Sequence, residues 1–342
     1  MDPTSFQTAL LDWYDSSKRI LPWRDNPNPY HVWVSEIMLQ QTRVEAVIPY
    51  FHRFIAELPT IADLATVDDD KLNKLWEGLG YYSRVRNLKK AAQQVIDDFD
   101  GVLPSNRTDL ESLSGIGPYT AGAIRSIAFN QQDTAVDGNV LRVFARLTAN
   151  QNDIKSPPVK REIRRLVASL LPEERVGDFN QALMEIGATV CLPNGKPLCM
   201  VCPLNSFCKA FQQGLTDTIP KKQKKTKRRI EKRTVLLLEH NGKFAIRQRP
   251  VDGLLGGLYE FPNVLGHLTK ADVLKQYPDS TISKLPKAKH VFSHLEWHMI
   301  GYHVLLDEQI EQFPFVSPEE LYATYSVPTA FKTYKEALLS LN

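Results

Sequence analysis

The chain has 342 residues, 43% of them hydrophobic and 24% charged, with a net charge of only +3. That length allows two domains with a sizeable core, the balance suits a folded soluble protein, and the overall charge does not by itself announce a nucleic-acid binder. No apolar run approaches a membrane span, and the acids and aromatics of MDPTSFQTALLDWYDSSKR exclude a secretory signal, so a cytoplasmic (bacterial cytosol or nucleoid) location is expected.

In chain order, residues 1–20 place Phe6, Leu10, Trp13 and Tyr14 at helical spacing. LPWRDNPNPY follows at 21–30, and its prolines predict an irregular stretch. In 31–55, Val34, Ile37 and Met38 share a helical face, so Glu36 has apolar neighbours. A carboxyl buried there would have the raised pKa of a general acid, whereas one on the polar side would merely face solvent. LxxLWEGLGYY at 72–82 loosely echoes LxxLSGIGPY at 110–119. After the first of these, Tyr81 and Tyr82 adjoin Arg84, Arg86, Lys89 and Lys90, which suits stacking on bases beside phosphate neutralisation, or else a solvated basic face.

LSGIGPYTAG at 113–122 reads as helix, Gly-x-Gly turn, helix, with the pair spanning about 108–129. Thr108 and Glu111 have capping-box spacing for the first helix. Gly115 and Gly117 permit positive φ and close approach, and a turn feeding a helix N-terminus offers free N–H groups to a phosphate. Asp137 precedes the apolar stripe Val140, Val143, Phe144 and Leu147, as an N-cap or as a carboxylate held near that phosphate. Helical patterns continue over 159–171 and 179–190, and no strand alternation stands out in the first 210 residues. All four cysteines, Cys191, Cys199, Cys202 and Cys208, lie in one C-x7-C-x2-C-x5-C window, a metal-type cluster that suits zinc or [4Fe–4S].

Nine of the thirteen positions from Lys221 to Arg233 are Lys or Arg, so 217–233 reads as a basic linker able to trail along a phosphate backbone. TVLLLEHNGKFAIRQRP then gives strand, Asn-Gly turn, strand. Helices are expected near 269–277 and 329–341, making 234–342 a separate α+β domain behind an all-α domain at 1–216.

Taken together, LPWR at 21–24, WVSEIMLQQT at 33–42, GLGYYSR at 78–84, LSGIGPYTAG at 113–122, VDGNV at 136–140, the cysteines and FSH at 292–294 resemble the adenine DNA glycosylases. These belong to the helix-hairpin-helix, iron–sulfur DNA glycosylases, and the similarity covers essentially the whole chain. One departure is visible: seven residues, LPNGKPL, separate the first two cysteines where the family usually has six. The resemblance implies an all-α helix-hairpin-helix catalytic domain with an iron–sulfur module at 191–208, and a Nudix-like C-terminal domain. It implies base excision repair in which adenine opposite 8-oxoguanine (or guanine) is flipped out of double-stranded DNA and its N-glycosidic bond hydrolysed. Glu36 would protonate the base and Asp137 would stabilise the oxocarbenium-like sugar, with Tyr119 and Asn139 orienting them.

The same resemblance makes Arg24, Gln41, Thr42, Leu79, Tyr81, Gly115 and Gly117 DNA contacts, with Gln41, Leu79 and Tyr81 entering the stack. Phe292, Ser293 and His294 would read the oxidised guanine, and Cys191, Cys199, Cys202 and Cys208 would hold a [4Fe–4S] cluster. Strand-cleaving members carry a lysine where this chain has Tyr119, so base removal without nicking is expected, by a monomer with no membrane partner. The C-terminal domain lacks the acidic RExxEE run of Nudix hydrolases and is expected to bind, not hydrolyse. Two rivals are an endonuclease III-like pyrimidine glycosylase and lyase, and a non-catalytic iron–sulfur DNA-binding protein.

Overall fold

The computed structural model describes residues 2–25, 27–221 and 227–341. The chain forms two compact units, one of Met1–Thr66 with Arg86–Lys224 and the other of Val67–Val85 with Lys225–Asn342.

Among its described residues the first unit is helical throughout. Helix α1 (Pro3–Ser17) starts under an Asp2 cap that accepts from the Ser5 N–H, and buries Phe6, Leu10 and Tyr14. The proline-rich stretch does contain a helix, the single turn α2 (Pro22–Asp25), because Pro22 sits at its start, where a missing N–H leaves nothing unpaired. Pro29 does the same for α3 (Pro29–Leu39), whose residues from Val32 to Met38 are all buried. Helices α4 (Val44–Glu57) and α5 (Ile61–Thr66) complete the first stretch of this unit. After α6 (Asp69–Leu75), which belongs to the second unit, come α7 (Ser83–Asp98), then α8 (Arg107–Ser112) and α9 (Pro118–Ile127), the two helices of the hairpin.

The cap of α8 is Asn106, which accepts from the Asp109 N–H, and not Thr108. Glu111, the expected capping partner, pairs instead with Arg107. Helices α10 (Gly138–Leu147), α11 (Pro157–Ala168), α12 (Val176–Thr189) and α13 (Lys209–Gln212) finish the unit. The main core joins Phe6, Leu10 and Tyr14 to Val140, Phe144, Ile163, Phe179, Leu183 and Ile186. Burying these side chains, at ~1.5–3 kcal/mol each, is what aligns the start of α10 and the flank of α12.

The second unit is a mixed sheet with helices. Strand β1 (Arg229–His240) begins five residues inside the expected linker. There Arg229 to Arg233 pair in parallel with Leu295 to Met299, so the end of the basic run belongs to the sheet. Residues 222–226 of that run lie outside the described residues. The Asn241–Gly242 turn, both residues at positive φ, returns the chain into β2 (Lys243–Ala245).

Next come β3 (Arg247–Gln248), β4 (Tyr259–Glu260), β5 (Asn263–Leu265), α14 (Lys270–Gln276), β6 (Thr281–Val291) and β7 (Leu295–Leu305). The strand β8 (Phe315–Val316) and helices α15 (Pro318–Ala323) and α16 (Lys332–Leu341) end the chain. The sheet order is β6-β7-β1-β2-β8, with β5 also on β1, and β3 pairs with β4 separately. Val235 and Leu237 enter one core with Trp297 and Phe331, whereas Leu236 and Leu238 enter another with Tyr302 and Val304. Both faces being covered explains why β1 reads as an unbroken apolar run.

Residues 67–85 were expected in the helical domain but pack in the second unit. The Asn73 carbonyl accepts from Ser326 Oγ at 3.2 Å, Tyr259 Oη donates to Asp70 at 3.2 Å, and Lys335 Nζ pairs with Glu77 at 2.8 Å. Tyr82 Oη also lies 3.4 Å from Ser326 Oγ. Each partner is more than 180 residues away in sequence, which is why local pattern does not reveal the exchange. Among the described residues no helix is long and apolar enough to cross a membrane.

Candidate active site

A cleft of about 840 Å³ opens in the first unit. Arg24, Glu36, Gln41, Thr42, Gly115, Gly117, Tyr119, Asp137 and Asn139 all line it, so the structure gathers every residue that the resemblance assigned to this unit outside the cysteine module, whereas Arg86, Lys89 and Lys90 lie apart from it. Glu36 is 6% exposed. The solvent-facing alternative therefore falls, because α3 is buried around its whole circumference there. Burial pushes the Glu36 carboxyl up to about 7, the nearby Asp137 carboxyl adds to the rise, and a hydrogen bond from Tyr119 opposes it. Tyr119 Oη donates to Glu36 Oε2 at 2.5 Å. Burial holds the phenol well above its usual range, so it stays a donor.

Asp137 caps a helix and lines the same cleft as Gly115 and Gly117. Its Oδ1 caps α10 by accepting from the Val140 N–H at 2.8 Å, and Oδ2 accepts from Asn139 Nδ2 at 2.8 Å. Burial raises this carboxyl too, and those hydrogen bonds act against the rise. Asn139 is fixed in turn by Arg142, whose Nη2 donates to Asn139 Oδ1 at 2.9 Å while Nε donates to the Cys191 carbonyl at 2.9 Å. The carboxylate is thus tied to the cysteine module through two side chains.

The two turn glycines differ. Gly115 has φ +79°, and a Cβ there would lie 2.8 Å from Asn87 Cβ. Gly117 has φ −102°, so the positive φ expected there is absent; it is the first residue before α9, with nothing within 4 Å of where a Cβ would be. The backbone at the start of α9 is thus left open, and open N–H groups at a helix start are a place that can accept an anion. The echo at 72–82 is also a helix–turn–helix, but both of its glycines, Gly78 and Gly80, are at positive φ.

One functional candidate escaped the sequence, and one sequence-derived contact turns out otherwise. Glu185 is 1% exposed on the cleft wall and accepts from Arg19 Nε at 2.6 Å and from Arg24 Nη2 at 2.8 Å. These contacts, of which that with Arg19 spans 166 residues, hold its carboxyl below the usual range despite burial. A polar residue at helical spacing gave no hint of them. Arg84, read as a basic contact, is buried instead: its guanidinium stacks on Trp76 at 5.3 Å and donates to the Leu79 and Gly80 carbonyls.

In the second unit, Gln41's expected companions in the stack separate. Leu79 is 7% exposed and offers little surface, whereas Tyr81 is 48% exposed. Tyr81 and Gln41 both carry left-handed backbone, φ 49° and 60°, a strain that only surrounding structure sustains. Phe292, Ser293 and His294 form the turn between β6 and β7, closed by the Phe292 N–H on the Leu295 carbonyl at 2.8 Å. Phe292 stacks edge-on against Trp297 at 4.9 Å, and Ser293 Oγ lies 3.2 Å from Tyr81 Oη.

The four cysteines are unoxidised and partly buried. Burial pushes the Cys202 thiol up to about 12, with Cys191, Cys199 and Cys208 close enough to act on it electrostatically. Arg146 Nη1 donates to Cys191 Sγ at 3.1 Å. Four soft donors near one another beside a guanidinium are of the chemical type that a thiolate-bound metal group takes, but among the described residues no three His, Cys, Asp or Glu side chains close on a single ion. The extra residue before Cys199 is absorbed in a loop exposed from Pro193 to Lys196.

A hairpin of helices whose turn opens into a cleft with one buried and one half-buried carboxyl is the arrangement of a helix-hairpin-helix base excision enzyme. Residues 34–169 match the family described as HhH-GPD superfamily base excision DNA repair protein, and residues 233–337 match the NUDIX domain. The adenine DNA glycosylase of Mus musculus is 36% identical over 90% of this chain and 72% of its own. That of Homo sapiens is 36% identical over 96% and 73%, and that of Buchnera aphidicola subsp. Baizongia pistaciae 36% over 85% and 83%. The chain belongs to the adenine DNA glycosylase family. A solved thermostable thymine-DNA glycosylase is similar to it at a TM-score of 0.57 and 28% identity, over 62% of this chain and 97% of that one. An endonuclease III–DNA complex shares the fold at 0.53 and 22%, over 63% and 99%.

Proposed function

We propose that this enzyme removes adenine paired with 8-oxoguanine in duplex DNA by hydrolysing the N-glycosidic bond, without cutting the strand. The observation that carries this is the pair of carboxyls lining one cleft, the buried Glu36 at about 7 and the half-buried Asp137. An acid half-protonated near neutrality can deliver a proton to a ring nitrogen of the leaving base, a contribution of roughly 10²–10⁴ in rate. A second carboxylate, held in place by the Val140 N–H and Asn139, can face the cationic sugar. Tyr119 holds Glu36 and offers no amine for a Schiff base.

The bond is unreachable in the stack, so the nucleotide must be extruded into the cleft while Gln41 and Tyr81 fill the duplex. Gly115 and Gly117 would seat the backbone, and Arg24 with Thr42 would line its path. Phe292, Ser293 and His294, with Ser293 beside Tyr81, would read the oxidised guanine. Cys191, Cys199, Cys202 and Cys208 would hold a [4Fe–4S] cluster, which when bound supplies a rigid tie at the end of the helical unit.

The decisive assay uses an adenine:8-oxoguanine duplex. Free adenine and a strand that breaks only after alkali are expected; breakage without alkali would point to the lyase rival, and no base release to a binding protein. A brown protein with visible absorbance and bound iron is expected, and a colourless zinc protein would refute the cluster.

A further inference from the structure

Helix α11 carries a charge pattern that the catalytic cleft does not account for. Lys160, Arg161, Arg164 and Arg165 are exposed on it, Lys155 precedes it, and Glu162 is the lone acid between residues 155 and 165. The opposite side, Val159, Ile163 and Val167, is buried, so packing fixes the direction in which the basic side faces. Lys160 with Arg164, and Arg161 with Arg165, are like charges four residues apart, which repel. Among the described residues none of these four side chains has a hydrogen-bond, ion-pair or ring partner to offset that repulsion.

The face also has a place. Lys155, Lys160 and Arg164 line the catalytic cleft, while Arg164 together with Arg161, Arg165 and Arg107 lines a second cavity of about 360 Å³. Arg164 therefore joins the two. The second cavity contains one carboxylate, Asp133, and that group is already shared: Arg107 donates to it, and Arg125 Nε lies 2.7 Å away. What remains is a basic, uncompensated track leading out of the cleft.

We propose that the outward face of α11, continued by the Arg107 cavity, is a second phosphodiester-binding surface that takes the DNA backbone as it leaves the cleft, in addition to the glycine turn. This rests on the reading of the protein as a DNA glycosylase. The ligand chemistry is a run of phosphate monoanions, read for charge and not for sequence.

The test is the salt dependence of duplex binding, measured with the full protein on a duplex without a lesion. Each phosphate contact contributes about 0.9 to the slope of log affinity on log salt. Arg161→Ala with Arg165→Ala should lower that slope by about 1.8 and weaken binding similarly for all sequences, whereas Arg161→Lys with Arg165→Lys should retain the slope. A slope unchanged by the alanine pair overturns the proposal. So does a slope that falls equally in the lysine pair, since that would mean a packing role. Adenine release is scored separately on the wild-type protein. Its absence would remove the glycosylase reading while the binding slopes still stand or fall alone.

Discussion

At the scale of single residues, Glu36 couples function to instability. Its folded pKa of about 7 lies above the ordinary 4.5, so the unfolded chain gives up this proton first as pH rises. The sign follows: the fold carries no penalty below about 4.5, and the penalty grows through 7 to roughly 3 kcal/mol. Glu36→Gln should therefore abolish base release and, at pH 8 but not at pH 4, raise the melting temperature. Loss of activity without that pH-dependent gain would mean that the carboxyl is not held neutral by burial.

Tyr119→Phe tests the same group from its other side. Deleting the donor to Oε2 removes the one hydrogen bond that lowers the Glu36 pKa, so the alkaline limb of the rate profile should move upward while the maximal rate falls. A limb that stays in place would assign it to another group.

At the scale of elements, the hairpin turn separates two uses of glycine. Gly115→Ala meets Asn87 Cβ and forces a left-handed backbone on a side chain, and should cost roughly 1–2 kcal/mol of stability. Gly117→Ala meets nothing within 4 Å, so thermal stability should hold while duplex affinity drops, because the methyl occupies the space kept for a phosphate. Equal destabilisation by both would show that the turn is only a packing device. Sequence pattern reveals this hairpin, the capped start of α10 and the cysteine window well, because each depends on near neighbours. It fails where a distant partner decides: Asn106 in place of Thr108 at the cap, Arg84 drawn under Trp76, and Glu185 buried by Arg19 and Arg24. Glu36 lies between these cases, since α3 is locally clear but its complete enclosure comes from other helices.

At the scale of the whole molecule, the units do not follow the order of the chain. The segment 67–85 interrupts the helical unit and belongs with the C-terminal fold, held there by Asn73, Asp70 and Glu77. It carries Tyr81, so the ring proposed to enter the duplex and the Ser293 hydroxyl proposed to read the oxidised base sit in one unit. A protein cut after residue 221 keeps both carboxyls and the four cysteines, yet strips the Tyr259, Ser326 and Lys335 partners from 67–85. Amide exchange in that segment should then accelerate by at least tenfold, as for a region left with few buried contacts. On the proposed reading of the C-terminal turn, discrimination between adenine opposite 8-oxoguanine and adenine opposite guanine should fall in step, while exchange at the start of α10 is unchanged. If the segment stays protected after the cut, its order comes from the helical unit, and the recognition half of the protein is the C-terminal fold alone.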